Sequence, residues 1–201
     1  MPDPCIKGSA FVGVVDDLNR LLDEGRTTRE ALEERLQPDD LAYLDEDEVA
    51  PGFWYPMPSY DRLLSVLVEL EGGDDPRAYL LGRGEAAMKR MMALGLYNQF
   101  ASLEQGWTRL AGRVLGTISQ VVYNFMTFEI VSGADAAGDG TQSSRFTILV
   151  RDGGLLSRNA QTTIEGAVAA LASRAAHGPV TVSARRVSTD EVEIYVEREV
   201  A

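Results

Sequence analysis

The chain has little of the chemistry that usually marks a function. Its 201 residues contain one cysteine, Cys5, and one histidine, His177. A single cysteine excludes an intrachain disulfide and any cysteine-rich zinc site, and its rarity suits a reducing compartment. Basic residues are outnumbered, 19 Lys and Arg against 31 Asp and Glu for a net charge of -12, which argues against binding nucleic acid or an anionic membrane through a broad electrostatic footprint. No apolar run approaches the ~20 residues of a membrane span, and no basic-then-apolar leader opens the chain. The expectation is a cytoplasmic protein without a membrane span or a nucleic-acid partner. None of the serines sits in a Gly-x-Ser-x-Gly elbow, and His177 has no sequence-readable partner for a nucleophile triad. In Ala-Ala-His-Gly-Pro its charge suits a helix C-terminus, so capping is its expected role. Gly82-Arg-Gly84 and Asp152-Gly-Gly154 lack the strand, loop and helix context of a phosphate cradle. No residue pattern implies a metal, a cofactor or a catalytic group.

What is present is architecture. With 45% hydrophobic and 25% charged residues the chain can bury a real core. Its last third, 127–199, reads as strand, strand, helix, strand, strand. Phe128-Glu-Ile-Val131 and Arg145-Phe-Thr-Ile-Leu-Val150 are β-branched and aromatic, with a loop between them. From Asn159 to Ala176, Ile164, Val168, Leu171 and Ala175 recur at helical spacing, and Gly178-Pro179 stops the helix. Val180-Thr-Val182 and Val192-Glu-Ile-Tyr-Val196 then alternate around a turn-prone Ser188-Thr-Asp190. The expected fold class is α+β. About five helices over 9–126 form a layer, followed by a four-stranded antiparallel ββαββ sheet with one helix packed on it, all in a single domain.

In the helical part, Phe11, Val14, Val15, Leu18, Leu21 and Leu22 define one face of a helix ending at Gly25. Thr27 with Glu30 forms a capping box for a short second helix, which Pro38 ends. The acidic 39–48 stretch is expected as a solvated surface turn with two apolar contacts, Leu41 and Leu44. Gly52-Phe-Trp-Tyr-Pro-Met-Pro58 is a proline-stiffened lead-in to a helix carrying Tyr60, Leu63, Leu64, Leu67 and Val68. Trp54 and Tyr55 either plug the helical layer or offer a ligand or partner surface, and burial is the expectation. The fourth helix, from Asp74 or Asp75 to about Phe100, mixes Leu80, Gly84, Ala87, Met88, Met91, Met92 and Gly95 on one side. It either packs tightly on a neighbour or lines an apolar cavity. A fifth helix, through Leu110, Val114, Ile118, Val122 and Phe125, carries Gly112 and Gly116 four apart, where a second helix can approach.

The order of these parts resembles a known family. Lys7-Gly-Ser-Ala-Phe11 opening a helix, Trp54-Tyr-Pro56 followed by Tyr60 and Leu63-Leu64, two long helices and the closing ββαββ module resemble the bacterial vinyl-reductase-like domains. These are kin to the haem-nitric-oxide-binding and TRAPP-subunit fold, with the nearer likeness to uncharacterised myxobacterial members. The likeness spans nearly the whole chain. It implies a fold used for sensing small apolar ligands or for assembly with copies and partners. Vinyl-reductase-type domains carry a pattern like Asp-x-Cys-x-Phe-x-Ile near the closing hairpin, whereas Asp190-Glu-Val-Glu-Ile-Tyr-Val196 has Val192 at the cysteine position, so the thiolate site is absent. Haem-binding relatives hold haem through a histidine of the helical part, and residues 60–126 contain none. The expected function is a non-catalytic module for a small apolar ligand, held between helices and sheet by Trp54, Tyr55, Met88, Met91, Met92 and Tyr123. The alternative is an interaction or assembly protein, a homodimer or subunit with Gly112 and Gly116 at its interface.

Overall fold

The computed structural model describes residues 3–45, 49–93, 116, 120–132 and 145–198. In chain order the elements are β1 (Cys5–Lys7), α1 (Gly8–Asp23), α2 (Arg29–Glu33), α3 (Pro38–Asp45), β2 (Trp54–Pro56), α4 (Met57–Glu71) and α5 (Pro76–Ala93). There follow β3 (Thr127–Ser132), β4 (Arg145–Arg151), α6 (Arg158–Ala176), β5 (Val180–Arg186) and β6 (Val192–Arg198). The α+β architecture is as the hydrophobic periodicity indicates. β3, β4, β6 and β5 lie in that order in one antiparallel sheet. Alternation puts Phe146, Ile148 and Val150 of β4 and Val192, Ile194 and Val196 of β6 in the core, while Tyr195 faces outward. α6 packs on this sheet and also against α5. Ser157 caps its first turn, its Oγ accepting from the Ala160 N–H at 3.1 Å. At the other end His177 is the left-handed C-cap, φ 50°, and its N–H donates to the Arg174 carbonyl.

Three local expectations change, and one element comes unannounced: β1 pairs antiparallel with β2, Ile6 opposite Tyr55, and Ile6 is fully buried. Burial, reinforced by Asp3, pushes the Cys5 thiol up, away from reactive thiolate. The cap of α2 is Thr28 rather than Thr27, its Oγ1 accepting from the Ala31 N–H. The acidic stretch is only partly solvated, because Asp40 is fully buried in α3 and held bidentately by Arg62 of α4 at 2.5 and 2.7 Å. Burial works against the Asp40 charge, but the Arg62 and Ser59 hydrogen bonds and the Gln37 N–H outweigh it and hold the carboxyl below its usual range. Lastly, Trp54 is 40% exposed with Lys7 Nζ 4.6 Å above its ring, so it does not plug the helical layer. As part of a strand, its side chain alternates away from that of Tyr55, which points inward.

α5 and α6 cross with almost no side chain between them. A Cβ on Gly84 would lie 1.9 Å from the Thr163 carbonyl oxygen, and one on Gly166 would lie 2.1 Å from that of Leu81. The helices meet backbone to backbone there. Beside the crossing, Arg77 pairs with the buried Glu165 at 2.5 Å. Gly84 of α5 therefore serves tight packing on α6, while Met88 of the same helix is buried in the core.

Candidate functional site

A cavity of about 380 Å³ opens beside the α5–α6 crossing. α1 contributes Ala10, Val12, Gly13 and Val14, α5 contributes Ala87, Met88 and Met91, and α6 contributes Ile164, Ala167 and Val168. Tyr60 of α4, Val122, Tyr123 and Phe128 of β3 add to the wall, which is mostly apolar, with Ser9, Asp16, Asp17, Arg83, Arg90 and Thr163 as further polar members. The local sequence explains the space. Beside the glycine contact of α5 and α6, small alanine and valine side chains and flexible methionines make up much of the wall.

Tyr123 is placed by the N-terminal strand. It forms an antiparallel bridge with Ile6, and the next residue, Asn124, clamps the same segment by accepting from the Cys5 N–H at 2.6 Å and donating to the Asp3 carbonyl at 2.9 Å. Its ring meets Phe125 edge-on at 6.0 Å and Phe128 at 6.5 Å. The ring of Tyr60 packs 6.5 Å from Phe11, whose own ring stacks on Tyr55 at 4.6 Å and meets Tyr43 edge-on at 5.0 Å. Burial pushes Tyr60 up to about 12 and Tyr123 well above the usual phenol range, so both stay protonated.

At one side of the cavity Arg83 donates to Asp17 of α1, to the Tyr79 hydroxyl at 3.2 Å and to the Gly13 carbonyl at 3.2 Å. Burial opposes the Arg83 charge, yet Tyr79 and Asp17 more than compensate and keep it cationic. Close by, Asp61 of α4 accepts a 2.6 Å hydrogen bond from Ser157 Oγ, linking α4 to the cap of α6. Burial raises its carboxyl to about 6, against the opposing Ser157 hydrogen bonds and Arg62 charge.

That carboxyl sets an expected pH dependence. The folded protein holds the Asp61 proton more tightly than the unfolded chain, where the ordinary value is 3.8. Its contribution therefore favours the fold at low pH and is withdrawn as pH rises from about 4 to about 6. Asp61→Asn and the parent should be equally stable near pH 4 and diverge above it, the variant becoming more stable by at most about 3 kcal/mol. Urea denaturation across that range checks this, and parallel profiles would contradict it. Asp40, held below its ordinary 3.8, acts the other way: its stabilisation is present above that value and lost as pH falls through the depressed one.

Of the ligand-contact candidates, Met88, Met91 and Tyr123 line the cavity. Met92 is half-buried against the core and off the cavity wall, Tyr55 supports the cavity only through Phe11, and Trp54 lies outside it. Gly112 falls outside the described residues, and at Gly116 an added Cβ would meet nothing within 4 Å. Sequence reasoning missed the α1 wall, Tyr60, the α6 wall and the Asp17–Arg83 pair. The signal for α1 was there, since Ala10, Val12 and Gly13 interrupt its apolar stripe with small residues. Among the described residues no group of three or more His, Cys, Asp or Glu could hold a metal, and no helix is long and apolar enough to cross a membrane.

No family model matches the chain, and no curated protein matches it in sequence. Solved structures do match. An Fe(II) unliganded H-NOX protein from K. algicida superposes with a TM-score of 0.60 at 12% identity, covering 98% of both chains. An alanine-to-glycine variant of it gives 0.60 at 13% identity, covering 96% of this chain and 97% of that one. The fold is that of the H-NOX proteins. A third structure, concerned with haem redox potential and protein-induced porphyrin distortion, gives 0.57 at 10% identity, covering 94% and 96%.

The third of these structures raises the question of haem, and the donor set here does not fit it. Haem iron takes imidazole, thiolate, thioether or phenolate ligands. His177, the one imidazole of the chain, caps α6 and is off the cavity wall, as is Cys5. The phenols of Tyr60 and Tyr123 are held protonated, and the thioethers of Met88 and Met91 serve haem iron beside an imidazole, which the wall lacks.

Proposed function

We propose that the protein is a non-catalytic, sensor-like module that binds a small, largely apolar ligand in the cavity between α1, α5 and α6, without haem. The observation that carries this is the cavity itself, about 380 Å³ of mainly apolar wall within an H-NOX-like fold. Such a volume suits a molecule of one or two aromatic rings or a short branched chain. Methionine side chains on α5 suit a site that adapts to its guest. Kinship with vinyl-reductase-like and TRAPP-subunit-like domains, and a cytoplasmic setting, belong to the same proposal.

Ala87 faces this space from α5, so Ala87→Phe should fill it. Titration with N-phenyl-naphthylamine, whose fluorescence rises in apolar surroundings, should show saturable binding to the parent. The variant should bind at least about tenfold more weakly while melting no lower. Equal binding by the two proteins would place the probe elsewhere and contradict the proposal.

A further inference from the structure

Two buried polar groups on the cavity wall are left over from the packing of the described residues. Tyr60 is 6% exposed and Tyr123 9% exposed, and both line the cavity. Among the described residues neither hydroxyl has a hydrogen-bond partner. A buried hydroxyl without a partner is costly, and native structures retain one where a ligand or water completes it. The two rings are fixed independently, one by Phe11 and the other by Phe125 and Phe128. Their hydroxyls are thus positioned before any ligand arrives.

We infer that Tyr60 and Tyr123 are the recognition groups of the cavity, donating hydrogen bonds to a neutral carbonyl oxygen, as in a ketone, ester or quinone, on an otherwise apolar ligand. This rests on the cavity reading above and adds the chemistry of the guest. A carbonyl fits because it only accepts, and its two lone pairs suit two donors. A carboxylate fits less well. Arg83, a half-buried cation of the wall, is already committed to Asp17, Tyr79 and Gly13, and an unpaired anion loses its hydration on entry. Asp61, whose charge reaches both phenols, also disfavours a second negative group there. Arg90 reaches the wall only from an exposed position on α5.

The test is a calorimetric titration with three shape-matched probes: benzophenone, diphenylmethane and diphenylacetate. The full chain should bind benzophenone about tenfold more tightly than diphenylmethane, the scale of one buried hydrogen bond, and diphenylacetate most weakly. In Tyr60→Phe/Tyr123→Phe the ketone preference should fall to near one with diphenylmethane affinity unchanged. The infrared carbonyl stretch of bound benzophenone should sit lower in the parent than in that variant. The melting temperature should not fall, since only unpartnered oxygens are removed. A ketone preference that survives the double substitution, equal affinity for ketone and hydrocarbon in the parent, or tighter binding of the carboxylate would each overturn the inference while leaving the cavity reading standing. A variant that melts markedly lower would assign the hydroxyls to the fold and overturn it too. Failure of all three probes to bind would instead remove the cavity reading, and the inference with it.

Discussion

Gly84→Ala should destabilise the protein by about 2–4 kcal/mol, although alanine is the better helix former by about 1 kcal/mol. The added methyl would lie 1.9 Å from the Thr163 carbonyl oxygen and 2.8 Å from the Ala167 nitrogen. These are backbone atoms of α6, so no side chain can rotate aside and the two helices must separate. Gly166→Ala should behave alike, from 2.1 Å to the Leu81 carbonyl oxygen. Both glycines serve one crossing, so the double variant should lose less than the sum of the two. The chemical-denaturation midpoint measures this; an unchanged midpoint for Gly84→Ala would mean the helices are not in backbone contact. Separation would also widen the wedge that forms the cavity, so apolar probes should bind more weakly for want of a close-fitting wall.

Phe11→Ala should cost about 3–5 kcal/mol, the usual loss for truncating a fully buried aromatic. Phe11 is 0% exposed and lies at the centre of an aromatic group with Tyr43, Tyr55 and Tyr60. Through its ring, Tyr43 of α3, Tyr55 of β2 and Tyr60 of α4 all touch α1. Beyond stability, the substitution frees the ring of Tyr60, so a bound carbonyl probe should lose affinity in parallel. Denaturation and probe titration on the same preparation check both, and a loss under about 1 kcal/mol would mean that the aromatic group is not a structural centre.

The parts of the fold legible in the sequence are those where burial imposes a period. Strands β3 to β6 and helices α1, α4 and α6 bury one face each, and Phe146, Ile148 and Val150 or Phe11, Leu18 and Leu21 show it directly. The β1–β2 pair escaped because three-residue strands have no period to read, and Pro56 disguises one of them. Asp40 reads as solvated in the sequence because its partner, Arg62, lies 22 positions away, and a buried carboxylate looks like an exposed one until the pairing is known.

The cavity was half legible for a similar reason. Met88 and Met91 announce adaptable packing, and Gly84 announces close approach, but one helix stripe carries both functions at once. Which methionines face space depends on where α6 touches α5, a tertiary fact fixed by Gly84 and Gly166 together. Tyr123 could be proposed as a contact. That its hydroxyl is left unpartnered among the described residues depends on the β1 bridge and on the position of Tyr60, neither of which leaves a local signal. Trp54 misled because large aromatics are usually buried, whereas here the strand turns Tyr55 inward and leaves Trp54 under Lys7.

Whether this interior holds room for an apolar guest is tested most directly by a crystal structure under xenon pressure. Xenon enters apolar cavities and reports on their emptiness without requiring the true ligand. The expected result is a xenon site enclosed by Val12, Ala87, Met88, Ala167 and Val168, present in the parent and absent in Ala87→Phe. An interior in which protein side chains close that space and no xenon binds would contradict the account.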